Sequence, residues 1–165
     1  MTKNNRYALP YRRRRSQKTN YLKRLNMLKS RKIRLVVRKS NMHTLVQCVQ
    51  YFPDGDKVLL SASTKDLSSY EWNYSTSSIP AAYVAGLLLG KKALDAGLAD
   101  LIVDLGMQVP HKQGRLFAAV LGVQEAGVSV SVSDEALPPS ERVNGSHINE
   151  AIAKSIAIIK KKAGI

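Results

Sequence analysis

The first acidic side chain in this chain of 165 residues is Asp54. Ahead of it stand 15 Lys and Arg, so residues 1–53 carry +15 and the rest of the chain carries −1, which together make the formal +14. Like charges crowded at one end repel one another and cost stability unless a polyanion compensates them. The chain therefore reads as a nearly neutral body with a basic appendage, and a polyphosphate is the first partner to consider. The densest stretch is Tyr11 to Asn41, YRRRRSQKTNYLKRLNMLKSRKIRLVVRKSN.

The length suits about one domain of 100 to 200 residues, and an apolar share of 44% is enough to bury a core. Few aromatics and no internal repeat argue against a solenoid or a propeller. Cys48 is the sole cysteine, so an intrachain disulfide and a CxxC metal pair are both excluded. A reducing, cytoplasmic setting follows. The longest apolar run, Ile79 to Gly90, meets Lys91 and Lys92 well short of the roughly 20 residues a membrane span needs. The first residues lack the apolar stretch of a secretory leader. No membrane partner is expected.

Residues 1–16 show no apolar periodicity and a high charge density, which predicts a flexible arm. The arm also fits a solvated tail or a nuclear localisation sequence. Tyr7, Tyr11 and Tyr21, however, stand among Arg6, Arg12, Arg13, Arg14, Arg15 and Lys18. Rings and guanidinium planes can stack on unpaired bases while the charges meet phosphates. From Thr19 the spacing of Tyr21, Leu22, Leu25 and Leu28 predicts a helix with that face on the body and with Lys23, Arg24 and Lys29 elsewhere.

Arg31 and Lys32 lead into a strand in which Ile33, Leu35 and Val37 face the core and Arg34, Val36 and Arg38 face away. Lys39, Ser40 and Asn41 close it in a turn. Runs at Thr44 to Phe52 and Lys57 to Ala62, joined by Pro53-Asp54-Gly55, complete an antiparallel meander of three strands. Ser61 to Ser78 reads as a long polar loop carrying Tyr70, Trp72 and Tyr74. Pro80 opens a helix whose apolar face is Val84, Leu87, Leu88, Leu94 and Leu98, with Gly86 and Gly90 permitting close packing on the sheet. Ala99 to Leu105 and the alternating Val128, Val130 and Val132 read as parallel strands joined by a helix over Arg115 to Ala126. After Pro138-Pro139 and Asn144-Gly145, a final helix aligns Ile148, Ile152, Ile156 and Ile159, with Lys160 to Lys162 suiting its C-terminal dipole.

The expected fold is α/β, with a mixed sheet made of an antiparallel three-strand meander followed by α-β-α-β, a flexible basic N-terminal arm and a C-terminal helix. The expected division is a basic RNA-binding arm over residues 1–18, an α/β RNA-binding body over 19–135, and a linker with a C-terminal helix packed on the body over 136–165.

Catalytic chemistry finds little to work with. His43, His111 and His147 lack metal-ligand spacing, and Cys48 in strand register reads as a small buried hydrophobe. Asp100 and Asp104 form a carboxylate pair that keeps an RNA-processing nuclease open as an alternative. In a strand, though, they stand about 13 Å apart. Neither GxxxxGK[ST] nor GxGxxG occurs. No cofactor or metal is called for. His111-Lys112-Gln113-Gly114-Arg115 leads from a strand into a helix, where amide groups and the dipole could hold a phosphate beside Lys112 and Arg115. Non-specific nucleic-acid binding is a further alternative, although no duplex-reading module is evident.

The segments TNYLKRLNMLKSRKIRLVVRKSN, the SAST of Ser61 to Thr64, IPAAYVAGLL and GRLFAAVLGVQEAG together resemble, in order and over nearly the whole chain, the universal L-eighteen family of large-subunit ribosomal proteins in its archaeal form. Ile33 stands where a proline is expected. What the resemblance implies is a non-enzymatic α/β body docked on 5S rRNA in the central protuberance of the cytoplasmic ribosome. It also implies contacts of the arm with 23S rRNA and a neighbour from the L-five family. No homo-oligomer is expected. Carried over by position, the RNA-facing residues are Arg12 to Arg15, Lys18, Tyr21, Lys23, Arg24, Arg34, Arg38, Lys39, Ser40, Asn41, Gly114 and Arg115.

Overall fold

Residues 8–164 are described by the computed structural model. Their helices are α1 (Arg12–Arg15), α2 (Tyr21–Lys29), α3 (Ile79–Asp95), α4 (Arg115–Glu125), α5 (Ser140–Asn144) and α6 (Glu150–Ala163). Their strands are β1 (Ile33–Lys39), β2 (Thr44–Gln50), β3 (Lys57–Ser63), β4 (Asp100–Asp104) and β5 (Ser129–Val130).

Period-two alternation builds the first three strands, and two short turns make them antiparallel. At the first turn the Ser40 amide donates to the His43 carbonyl at 2.7 Å, and the Ser40 hydroxyl accepts from the His43 amide at 2.9 Å. At the second, Gly55 takes a φ of 149° and its amide donates to Phe52. The chain then crosses over through α3 and lays β4 parallel to β1. A second crossover through α4 lays β5 parallel to β4. The strand order is β3-β2-β1-β4-β5, so β1 is central. This is the mixed α/β sheet expected, with β5 shorter than the valine alternation suggests.

Leu35 and Val37 of β1, Val46 and Cys48 of β2, Ala62 of β3 and Leu101 of β4 all point into the core under α3 and α4. Helix α3 is buried nearly all round, from Pro80 to Gly90. The glycines Gly86 and Gly90 serve a partner other than the sheet. A Cβ on Gly86 would lie 2.1 Å from the Ala119 carbonyl oxygen, one on Gly90 2.5 Å from the Ala126 Cβ, and one on Gly122 2.2 Å from the Tyr83 carbonyl oxygen. The glycines therefore let α3 and α4 touch backbone to backbone. Helix α6 seats Ile152, Ile156 and Ile159 in the core. Ile148 precedes its first turn and is exposed, and so is Leu94 near the end of α3.

The expected polar loop after β3 is partly regular. Residues Thr64–Tyr70 form a 3-10 helix opened by a capping box between Ser63 and Asp66. Leu67 and Trp72 reach the core from this segment. Its three-residue turn leaves none of the 3.6-residue periodicity by which an α-helix is recognised. The basic arm also holds local structure, since Arg12–Arg15 form one helical turn.

Candidate nucleic-acid interface

The sheet face opposite α3 and α4 carries Arg34, Val36 and Arg38 of β1, set in register against Val49, Gln47 and Leu45 of β2 and Ile102 and Asp104 of β4. The N-terminal segment lies across it. A cleft of about 250 Å³ between the two is lined by Arg13, Lys18, Lys23, Arg24, Arg34, Arg38, Asp56 and Asp104, among others.

Side-chain geometry divides the predicted cations into two groups. The first is spoken for. Arg24 of α2 grips Asp56 with both prongs of its fork, at 2.7 and 2.8 Å. Arg34 lies between two carboxylates, its Nη1 donating to Asp104 at 3.0 Å and its Nη2 forming an ion pair with Asp56 at 2.6 Å. Arg38 donates from Nη1 to the Asp104 carbonyl oxygen at 2.6 Å and from Nη2 to the Asp104 carboxylate at 3.2 Å. Gly106 closes the carboxylate cage, its amide donating to Asp104 Oδ1 at 2.8 Å. Its φ of 62° suits glycine, and a Cβ there would meet the Arg38 guanidinium at 2.9 Å.

Lys32 pairs with Asp100 at 2.5 Å. Asp56 is held below the usual carboxylate range, first by the hydrogen bond from Arg24 and then by Arg34. Arg34 does lie on the face away from the apolar core, as the alternation predicts, but it is only 3% exposed. Expecting it to meet solvent fails because the N-terminal segment and two aspartates cover it.

The second group is open. Arg12, Arg13, Arg14, Arg15, Lys18, Lys23 and Arg31 are exposed and form no ion pair among the described residues. Arg13 donates from Nε to Thr19. The Tyr11 ring packs against Tyr21, with centroids 5.2 Å apart at 56°. Arg6 and Tyr7 lie outside the described residues.

Helix α2 is rotated from the expected setting. Leu22 is 71% and Leu25 52% exposed, and none of its residues is fully buried. Tyr21, Arg24, Met27 and Leu28 turn inward instead. The covalent path to β1 and the Arg24–Asp56 pair override the apolar stripe.

A second basic edge forms where the β1–β2 turn meets the start of α4. Arg115 donates to the Ser40 carbonyl oxygen at 3.2 Å. Gln108 clasps the backbone of Lys39 at both groups, accepting from its amide at 3.0 Å and donating to its carbonyl at 2.7 Å. Thr76 donates to the Met42 carbonyl, which holds Asn41 at the exposed tip of the turn. Gly114 is the N-cap of α4 and uses no side chain there, which leaves the first helix amides unclaimed by a cap. Lys112 pairs with Glu135 on the surface. The structure thus brings Lys39, Ser40, Asn41, Gly114 and Arg115 together, although some seventy residues separate the two segments.

Asp56, Gln108 and Thr76, which organise these edges, were not singled out from the sequence, and Asp104 was singled out only as half of a catalytic carboxylate pair, not as the counterion of Arg34 and Arg38. An aspartate in a turn or at a strand end carries no mark of its distant partner. Asp100 and Asp104, the pair on which a nuclease would depend, are each engaged by cations of the N-terminal segment. Cys48 is fully buried, and burial pushes its thiol up to about 11. No helix among the described residues is long and apolar enough to cross a membrane.

Residues 5–101 match the family described as ribosomal large subunit proteins 60S L5 and 50S L18. The chain is 43% identical over 148 residues to the large ribosomal subunit protein uL18 of Korarchaeum cryptofilum, spanning 90% of this chain and 76% of that protein. It is also 43% identical over 145 residues to the uL18 proteins of Halobacterium salinarum and Natronomonas pharaonis, spanning 88% of this chain and 79% of each. With a family match over more than half its length and relatives at this identity, the chain belongs to the family of large-subunit ribosomal proteins that includes 50S L18.

Proposed function

We propose that this chain binds 5S rRNA as a structural component of the large subunit, with its arm reaching 23S rRNA and an L-five family protein as a neighbour on the same RNA. The observation that carries this reading is the sorting of the cations. Body aspartates neutralise those that build the sheet face, and the remaining ones stand exposed together at one end. A surface of that kind attracts phosphates, releases counterions and orders further on binding.

The proposed contact residues are Arg6, Tyr7, Tyr11, Arg12 to Arg15, Lys18, Tyr21, Lys23, Arg31, Lys39, Ser40, Asn41, Lys112, Gly114 and Arg115. Arg34 serves that surface from inside, and Arg24, Lys32 and Arg38 border it, each held by a carboxylate partner.

The test is a titration of the full chain with 5S rRNA, unrelated structured RNA and DNA over several salt concentrations. A variant with Arg12, Arg13, Arg14 and Arg15 all changed to Gln is run alongside. The expected result is a preference for 5S rRNA at physiological salt. The slope of log K against log salt should flatten by about three to four in the variant if all four arginines meet phosphates. Equal affinity for all three nucleic acids, with equal slopes, would reduce the protein to a reader of charge. Changing the same four residues to Lys keeps the charge and should still weaken binding, because lysine cannot stack or fork.

A further inference from the structure

Helix α2 is held to the body in an unusual way. It buries no residue fully, and Leu22 and Leu25 face outward. Among the described residues its only side-chain hydrogen bonds to the body are the two from Arg24 to Asp56. Asp56 sits at the threshold of β3, is turned toward α2 and is also paired with the buried Arg34. Arg34 in turn leads to Asp104 on β4. One carboxylate therefore joins the basic helix to the sheet, while Asp54, two residues earlier and exposed, has no ion pair among the described residues.

We infer that Asp56 is a positioning residue for RNA binding: it latches α2 in the orientation that presents Lys18, Lys23 and the arginine arm as one surface, so that a negative charge is needed for a polyanion to bind well. This rests on the RNA-binding reading above. Electrostatics alone predicts the opposite sign, because removing an acid from a protein that binds phosphates should tighten binding. The latch predicts loss instead, because a helix that is docked only part of the time lowers apparent affinity by the fraction docked. The depression of the Asp56 carboxyl by Arg24 and Arg34 agrees with a strong pair at this point.

The experiment compares the full-length wild type with Asp56→Asn, Asp56→Glu, Asp54→Asn and Arg24→Lys. Each is measured for 5S rRNA affinity, for salt slope and for hydrogen exchange at the amides of α2 and of β1–β2. If α2 is docked about a tenth of the time without the pair, Asp56→Asn weakens binding about tenfold and flattens the salt slope. It also speeds exchange in α2 and leaves the β1–β2 amides protected. Asp56→Glu should restore part of the loss, and Asp54→Asn should bind as well as wild type or better. Arg24→Lys keeps the charge but loses the two-pronged grip, and should loosen α2 and weaken binding.

Wild-type or tighter binding by Asp56→Asn, with α2 still protected, overturns the proposal. Loss of protection across β1–β2 in Asp56→Asn, with Arg24→Lys unchanged in affinity and in α2 exchange, also overturns it and leaves Asp56 a support of the fold alone. A wild type with no preference for 5S rRNA would instead defeat the RNA reading, and α2 exchange would still decide the latch.

Discussion

Arg34 and Arg38 stand one above the other on β1, on the same face of the sheet, and their guanidinium groups meet different surroundings. Arg34 is closed in by Asp56 and Asp104, while the Arg38 side chain stays 37% exposed and reaches the Asp104 backbone as well as its carboxylate. Removing one partner of a buried pair strands the other, at about 3 to 5 kcal/mol. Arg34→Ala should therefore lower unfolding free energy by about 3 kcal/mol, toward the low end because Arg38 and the Gly106 amide still hold Asp104. Arg38→Ala should cost about 1 kcal/mol. Chemical denaturation of the two variants checks the ranking, and equal midpoints would refute it. The period of two told which way both arginines point. What covers each of them depends on Asp56 and Asp104, residues far along the chain whose approach no local pattern announces.

At the scale of elements, the close pairing of α3 and α4 depends on reciprocal glycines. A methyl group on Gly122 would sit 2.2 Å from the Tyr83 carbonyl oxygen and 2.8 Å from the Leu87 amide nitrogen, both backbone atoms that cannot swing aside. Overpacking a core usually costs about 1 to 3 kcal/mol. Gly122→Ala should reach or exceed the top of that range, whereas Gly97→Ala, at a helix end with open space around it, should cost less despite its φ of 73°. Thermal melts of the two variants check this. Helices α2, α3, α4 and α6, the meander and the βαβ crossover were legible because each repeats its period over several turns or pleats, whereas α1 and α5, of four and five residues, are too short to repeat one. The inward face of α2 was not legible. Its leucines mark an apolar stripe, but the fork of Arg24 on Asp56 and the short link to β1 decide which side turns in.

Over the whole molecule, the partition of charge could be read directly from the sequence, while its cancellation could not. Asp56, Asp100 and Asp104 come from the nearly neutral body, and all three turn toward the basic segment. Asp56 is depressed in the folded state, so the docking it stabilises is complete above the ordinary aspartate pKa of about 4. It is lost as pH falls through the lower native value, where Arg24 and Arg34 stay charged and the carboxyl does not. Hydrogen exchange should show α2 undocking in acid below about pH 4 and not on the alkaline side of neutrality. Loss of α2 protection on raising the pH would contradict this sign.

The placement of β1 at the centre of the sheet has a consequence for how the chain is made. Asp104, the counterion of Arg34 and Arg38, follows them by 70 and 66 residues. β1 also has one open edge until β4 has been synthesised. Chains fold as they emerge, N-terminal parts first. The growing protein therefore passes through a stage in which its whole basic segment is present and the aspartates at 100 and 104 are not. At that stage Arg34 already has Asp56 beside it, but Arg38 lacks its carboxylate partner and stands as open to a nearby polyanion as the arm does. The arrival of β4 brings Asp104 to both, so the nascent chain carries more uncompensated positive charge on this face than the finished one.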